Sequence, residues 1–278
     1  MSVFHNYTYG ADVYDQTRKA EAFEIWLGAL QRFAPVPASE VRLLDAGCGT
    51  GNYAEVLHPF VRHLNGVDFN PKMLAKAKAK LSQGVEAGSI TLEQGSLLSF
   101  PFEADTFDAV MINQVLHHLE TGKDFARNGH RAAVNEVARV LKPGGLFMIN
   151  ACSHRQLRDG FWYNHLIPTA LDTVCARIAP TTMFAQMLNE AGFEITARHV
   201  PLNAIMQGDA YLDISGPHRP EWRAGDSIWS LAPDKEMGGA CHTLSALVSS
   251  GQAESWLATH DAPRIHVGQM TFWIAVKN

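Results

Sequence analysis

Two carboxylates and three alternating glycines are the residues of this chain best placed to do chemistry. In Val41-Arg-Leu-Leu-Asp-Ala-Gly-Cys-Gly-Thr-Gly51 an apolar run ends at Asp45, and Gly47, Gly49 and Gly51 follow. Glycines at that spacing permit a tight turn whose backbone comes close to a ligand. Asn52–Leu57 then reads as a helix, so the turn opens on free N–H groups that favour an anionic group. Asp68 ends a second apolar stretch, Leu64–Asp68, about 20 residues beyond the turn, where a carboxylate can accept from both hydroxyls of a ribose. Asp68 alone could equally be a helix N-cap, because Asn70-Pro71 begins the next helix.

Spacing separates the nucleotide-binding turns. Counted from Gly47, G-x-G-x-x-G would need a glycine where Asn52 stands; counted from Gly49 it ends at Ala54, a permitted variant that keeps a dinucleotide open. The fuller pattern is D-x-G-x-G-x-G, which resembles motif I of the class I S-adenosylmethionine (SAM) methyltransferases. Three further blocks extend the resemblance. Thr106–Asn113 reads as a fourth strand entering Gln114-Val-Leu-His-His-Leu119, Val137–Gly145 as a helix closed by Pro and Gly, and Leu146–Asn150 as a fifth strand. The chain looks most similar to small-molecule enzymes of the ubiquinone and menaquinone C-methyltransferase type, over residues 41–150.

That resemblance implies SAM as cofactor. It carries cofactor-binding roles to Asp45, Gly47, Cys48, Gly49, Gly51, Asn52, Asp68, Phe69, Met73, Gly95, Ser96, Leu97, Asn113 and Gln114. Ser96 is a departure, standing where relatives commonly place an Asp toward the adenine amino group. Cys48 reads as a small residue packed beneath the turn. Tyr14-Asp15 leading into Arg18 is similar to a lid segment of small-molecule relatives. Tyr14 would then cover the methyl-donor end and Arg18 pair with the cofactor carboxylate, although an ordinary N-terminal arm fits as well.

Methyl transfer from a sulfonium is an in-line displacement with a good leaving group, so positioning and water exclusion supply much of the rate. A base is needed only if the acceptor must lose a proton. His117 is the first candidate, with Tyr14 and His154 behind it and Tyr163 a lesser one. Neighbouring helical residues point about 100° apart, so only one of His117 and His118 should face the site.

The elements that must hold these groups alternate strand and helix. They predict an α/β fold, a Rossmann-like, seven-stranded, mostly parallel sheet with helices on both faces, an N-terminal arm and cap insertions. Residues 1–40 form the arm or lid, with a helix over Arg18–Phe33 that stops at Pro35-Val-Pro37. Residues 41–150 form the cofactor-binding core. Residues 151–278 complete one domain with cap and substrate-binding insertions. Phe193–Val200 reads as strand six; Thr271–Val276 is the last strand, antiparallel by resemblance. The stretch 201–270, with a helix over Ala240–Val248, is extra length suited to a substrate-binding elaboration or a homodimer contact. Five of the six tryptophans (Trp162, Trp222, Trp229, Trp256 and Trp273) follow residue 150, and core packing is the safer reading for each.

Composition bounds the reading. The chain of 278 residues is 46% hydrophobic and 18% charged, which suits one large domain. A net charge of −5 argues against a nucleic-acid partner. Lys72, Lys76, Lys78 and Lys80 lie opposite the apolar stripe Leu74, Ala77 and Leu81, which makes them a solvated face. Cys48, Cys152, Cys175 and Cys241 are scattered like reduced thiols, which points to the cytoplasm. No signal-peptide region, apolar run of bilayer length or metal-ligand spacing is present, so neither membrane nor metal is expected. The expectation is a SAM-dependent methyltransferase with a small-molecule substrate. A protein or RNA methyltransferase and a non-catalytic SAM-binding regulatory subunit are the alternatives.

Overall fold

Apolar runs buried on both faces make the central strands, as a parallel sheet covered by helices requires. The computed structural model describes Asp15, residues 18–119 and residues 129–278. Within these, β1 is Arg42–Ala46, β2 His63–Asp68, β3 Ile90–Gln94, β4 Phe107–Asn113, β5 Leu141–Ala151, β6 Phe193–His199 and β7 Thr271–Lys277. They form one seven-stranded sheet in the order β3-β2-β1-β4-β5-β7-β6. The first five strands run parallel, and β7 is antiparallel to both β5 and β6. The expected fold and the antiparallel last strand are both present.

Strand alternation splits the apolar residues into two cores. Leu43, Leu64, Met111 and Phe272 face one side, where Trp26 and Leu30 of α1 (Phe23–Phe33) join them, together with α2 (Asn52–Leu57) and α3 (Pro71–Lys80). Leu44, Val110, Phe147 and Trp273 face the other, against α4 (Gly129–Val140) and α5 (Thr181–Glu190). A third core lies outside the sheet. Trp162, Tyr163, Tyr211, Trp222 and Trp229 pack with Leu157 and Leu244 into an aromatic cap built from residues 154–175 and 208–249. Four of the five late tryptophans therefore serve the cap, Trp256 against Trp162, and Trp273 serves the sheet.

Three boundaries differ from expectation. The first helix starts at Phe23 rather than Arg18, because Ala22 takes a left-handed conformation (φ 56°), and Arg18 is left outside any regular element. The helix expected over 137–145 ends at Val140. Leu141 pairs with Phe107, and a register irregularity after it absorbs Pro143 and the two glycines into β5. The 240–248 helix is longer, Asp234–Ser249, and is followed by Ala253–Asp261 and Arg264–Val267. No helix among the described residues is long and apolar enough to cross a membrane.

Candidate functional site

The sheet order reverses between β1 and β4, and in such sheets ligands bind beyond the strand ends at that point. β1 delivers Asp45 and the glycine turn there. Gly47, Gly49 and Gly51 all have positive φ (86°, 55° and 81°). A Cβ on Gly47 would stand 2.6 Å from Val115 Cγ2, so the turn is packed against the loop after β4. A Cβ on Gly49 would meet no protein atom within 4 Å and would occupy open space in the cavity that Gly49 lines.

The turn is not an anion cradle. Gly47 and Cys48 both donate N–H to the Val67 carbonyl (2.7 and 3.0 Å), and Gly51 donates to Cys48 (2.9 Å). Gly49 donates to Asp68 Oδ2 (2.8 Å). These four N–H groups are consumed within the protein, so the turn itself offers few donors to a pyrophosphate.

Asp68 holds the turn from the other side. Its Oδ1 accepts from Asn70 N–H (2.8 Å), while the N-cap of α3 is Asn70, whose side chain accepts from Lys72 and Met73. The N-cap alternative for Asp68 is thereby excluded, and each of its carboxylate oxygens retains lone-pair capacity toward the cavity. Burial raises the Asp68 carboxyl, and the backbone N–H groups of Asn70, Gly49 and Phe69 partly offset that. Asp45, 2% exposed, is raised further, to about 8, by burial and then by the neighbouring charge of Asp68. A site with two carboxylates held above their usual range suits a ligand that brings positive charge.

The cavity has a volume of about 620 Å³, within the range of small-molecule sites. Asp45, Gly47, Cys48, Gly49, Asn52, Asp68, Phe69, Met73, Ser96, Leu97, Asn113, Gln114 and Arg18 line it. Gly51 and Gly95 lie behind this surface; a Cβ on Gly95 would come within 2.8 Å of Val67. Ser96 Oγ accepts from Leu98 N–H (3.1 Å), so part of its capacity is used within its own turn. Phe69 and Leu98 stand half-exposed at the mouth.

Arg18, Lys19 and Glu21 also line this cavity. Asn52 Nδ2 donates to the Arg18 carbonyl (2.9 Å), and Thr50 Oγ1 donates to Asp15 (2.5 Å). Lys80 forms an ion pair with Asp15 (2.7 Å) and a bond to Asn52. Burial pushes the Asp15 carboxyl up, but hydrogen bonds from Lys80 and Thr50 outweigh it and hold it below the usual range. Lys80 is thus a tether, and reading it as part of a solvated face was wrong. Tyr14 lies outside the described residues.

The histidines divide differently from the helical expectation. Leu116–His118 is a 3₁₀ turn. His118 lines the cofactor cavity, whereas His117 lines two adjoining chambers, its Nε2 3.3 Å from Ser227 Oγ. The imidazole centroids lie 3.9 Å apart with the rings tilted at 46°. His154 bonds the Ile178 carbonyl (2.8 Å) and lines none of these cavities, which removes it as a base. Tyr163 is buried in the cap and donates to Asp226 (2.9 Å). Asp226, which sequence reasoning missed, also accepts from Ile228 N–H (2.8 Å) and lies 3.7 Å from Arg18. Nothing in the sequence pattern signals it.

Comparison with known proteins agrees with this geometry. Residues 44–149 match the family model of the methyltransferase domain. The chain is 36% identical over 112 residues to the uncharacterized methyltransferase YcgJ of Bacillus subtilis, covering 40% of each chain. It is 36% identical over 110 residues to the demethylmenaquinone methyltransferase of Lactiplantibacillus plantarum, covering 38% of this chain and 43% of that one. The chain spans about two fifths of the length of these curated relatives. A methyltransferase assigned to an antibiotic biosynthesis pathway in Anabaena variabilis superposes with a TM-score of 0.70 at 17% identity, over 95% of this chain and all of that one, which shows a shared fold. Residues 44–149 are thus similar to the methyltransferase domain of the class I SAM-dependent family.

The residues present fit that cofactor. The open space at Gly49 leaves room for its amino-acid end, Asp68 has acceptor capacity for ribose hydroxyls, and Asp45 and Asp68 form no ion pair among the described residues that would stand in for a sulfonium with an ammonium group.

Proposed function

We propose that this protein transfers the methyl group of SAM to a small-molecule acceptor and releases S-adenosylhomocysteine. One observation carries the acceptor side. The cofactor cavity shares Arg18, Gln114, His118 and Met206 with a chamber of about 60 Å³ enclosed by the cap. That is room for roughly two waters, so only a small group enters it, which disfavours a folded protein or nucleic-acid surface. The bound cofactor supplies an electrophilic methyl carbon. Asp45 and Asp68 hold its charged and hydroxyl groups. Phe161, Leu157, Val174 and Ile228 supply its apolar wall, beside the polar Arg18, Gln114, His117, His118, Asp226 and Ser227. His118, facing both spaces, takes a proton from an acceptor O–H or N–H, and His117, anchored near Ser227, positions it. The scattered thiols are in keeping with a cytoplasmic setting.

The test follows label from methyl-tritiated SAM into a cell extract treated with the purified protein, with products separated by size. Counts in the low-mass fraction support the proposal. Counts in protein or RNA overturn it, as does SAM binding without transfer to any fraction of metabolite-replete extracts.

A further inference from the structure

A second crevice of about 250 Å³ lies beyond the ends of β4 to β7, against the start of α5. It shares Gln114 and Val115 with the cofactor cavity. It shares Gln114, His117, Cys152 and Ile178 with the small chamber. A route therefore runs from the surface, past His117, to the wall of the cofactor site.

Its chemistry is distinct. Arg155, Arg198 and His266 stand at exposed positions on its lining, and no Asp or Glu is among its described lining residues. Arg198 and Trp273 face each other in the β6–β7 register, and the guanidinium lies 4.5 Å above the indole. Arg198 forms no ion pair among the described residues, while Arg155, at the surface, lies 3.8 Å from Asp159. A guanidinium laid on an aromatic face keeps its donor edge open, which suits bidentate binding of a carboxylate or phosphate. Below this rim the walls are apolar, with Phe184, Val200 and Leu202 beside Trp273. The polar floor is already satisfied. Thr271 donates to Gln156 (3.0 Å), and Gln156 donates to the Val267 carbonyl (3.1 Å).

We infer that this crevice binds an acidic, partly apolar small molecule and is the distal half of the acceptor site. The anionic group sits at Arg198, with Arg155 and His266 beside it. The apolar body lies on Phe184 and Trp273, and the reactive end points past His117 toward the small chamber. This rests on the methyl-transfer reading, whose charge class it specifies.

The experiment uses octanoate, octyl phosphate and octylammonium as probes, titrated into ¹⁵N-labelled full-length protein and followed by NMR, with SAM affinity measured in parallel by calorimetry. The two anions should bind and shift the Trp273 indole N–H, and octylammonium should bind at least tenfold more weakly. A tighter fit for octyl phosphate than for octanoate would mark a phosphate monoester acceptor, and the reverse order a carboxylate. Arg198→Glu should weaken both anions at least tenfold, and Arg155→Glu severalfold. Lys78→Glu, an equal charge change on α3, should not alter their binding. Equal binding of anions and octylammonium, shifts that avoid Trp273, or wild-type anion affinity in Arg198→Glu would overturn the inference. SAM affinity should be unchanged in all three variants. Loss of SAM binding in the wild type would instead count against the methyl-transfer reading, independently of the anion result.

Discussion

Binding of SAM at pH 6.5 should release close to one proton, and the proton should come from Asp45. In the ligand-free protein burial, and then the charge of Asp68, raise the Asp45 carboxyl to about 8. At pH 6.5 such a group is only about 3% ionised. The α-ammonium of the ligand titrates near ~8, so at this pH it arrives charged, as does the sulfonium. A cation set against a buried carboxylate favours its ionised form and lowers its pKa, by ~3 units if it returns toward the ordinary range. That shift would correspond to about 4 kcal/mol of coupling and a release of roughly 0.9 proton. Calorimetry in buffers of different ionisation enthalpy measures the number directly, as the slope of observed heat against buffer enthalpy. Affinity should also rise as pH increases from 5.5 to 7. Heat independent of buffer, or a release unchanged in Asp45→Asn, would refute the argument. The same group shapes stability without ligand. Its folded pKa lies above its unfolded value, so between about 4 and 8 the folded state binds more protons. Its contribution is fully present below the unfolded pKa and is lost as pH rises toward 8. Asp45→Asn should flatten that part of the profile of Tm against pH.

Three further outcomes are expected. Asp68→Asn keeps the shape but sets an amide N–H₂ against the N–H of either Gly49 or Asn70, which donate to different carboxylate oxygens; SAM affinity should drop by about 1–3 kcal/mol, and unchanged affinity in calorimetry would remove Asp68 from the ribose role. His118→Gln should lower kcat by roughly 10²–10⁴ and His117→Gln by less; the reverse order, measured at saturating SAM and acceptor, would show that the chamber occupied by His117 holds the base. Lys80→Met cuts the tie to Asp15 and Asn52; it should raise KM for SAM severalfold while changing stability by less than about 1 kcal/mol, and an unaltered KM would mean that the tether has no role in cofactor capture.

Much of this site was readable from residue order, for a physical reason. Buried parallel strands are continuous apolar runs, and each ends where a chemical group is presented, so Asp45, Asp68 and Asn113 fall at their strand ends as read. What escaped depends on contacts between segments far apart in sequence. Periodicity told which face of α3 is apolar, but not that Asp15 lies across Lys80. The choice between His117 and His118 was argued from α-helical geometry, whereas the turn is 3₁₀ and only three residues long. Asp226 and Ser227 fall in a run of short turns between Gly216 and Leu231, where no period exists to place a side chain. Whether the glycine turn would hold an anion depended on where its N–H groups point. The Val67 carbonyl and Asp68, both on β2, decided that.

Gln114 is where the three cavities meet, and its state explains how they can serve different ligands. It is one of three non-glycine residues among those described with positive φ (52°). Such a conformation persists only where the surroundings over-determine it. Here its N–H donates to the Asn150 carbonyl (2.9 Å), its amide donates to Asn150 Oδ1 (3.1 Å), and Cys152 Sγ donates to its carbonyl oxygen (3.5 Å). Asn150 in turn donates to Asn113 (2.8 Å), so the partition is fixed to the ends of both β4 and β5. It is also neutral. On one side stand the buried carboxyls of Asp45 and Asp68, in a lining that also carries Arg18, Lys19, Glu21 and Lys72; on the other the rim holds Arg155, Arg198 and His266 with no acidic residue among its described lining. The basic, acid-free rim disfavours the cationic ligand there, since a misplaced ion meets repulsion as well as lost contacts. A cationic donor and the acidic acceptor proposed above would then be held at the same time, on either side of Gln114.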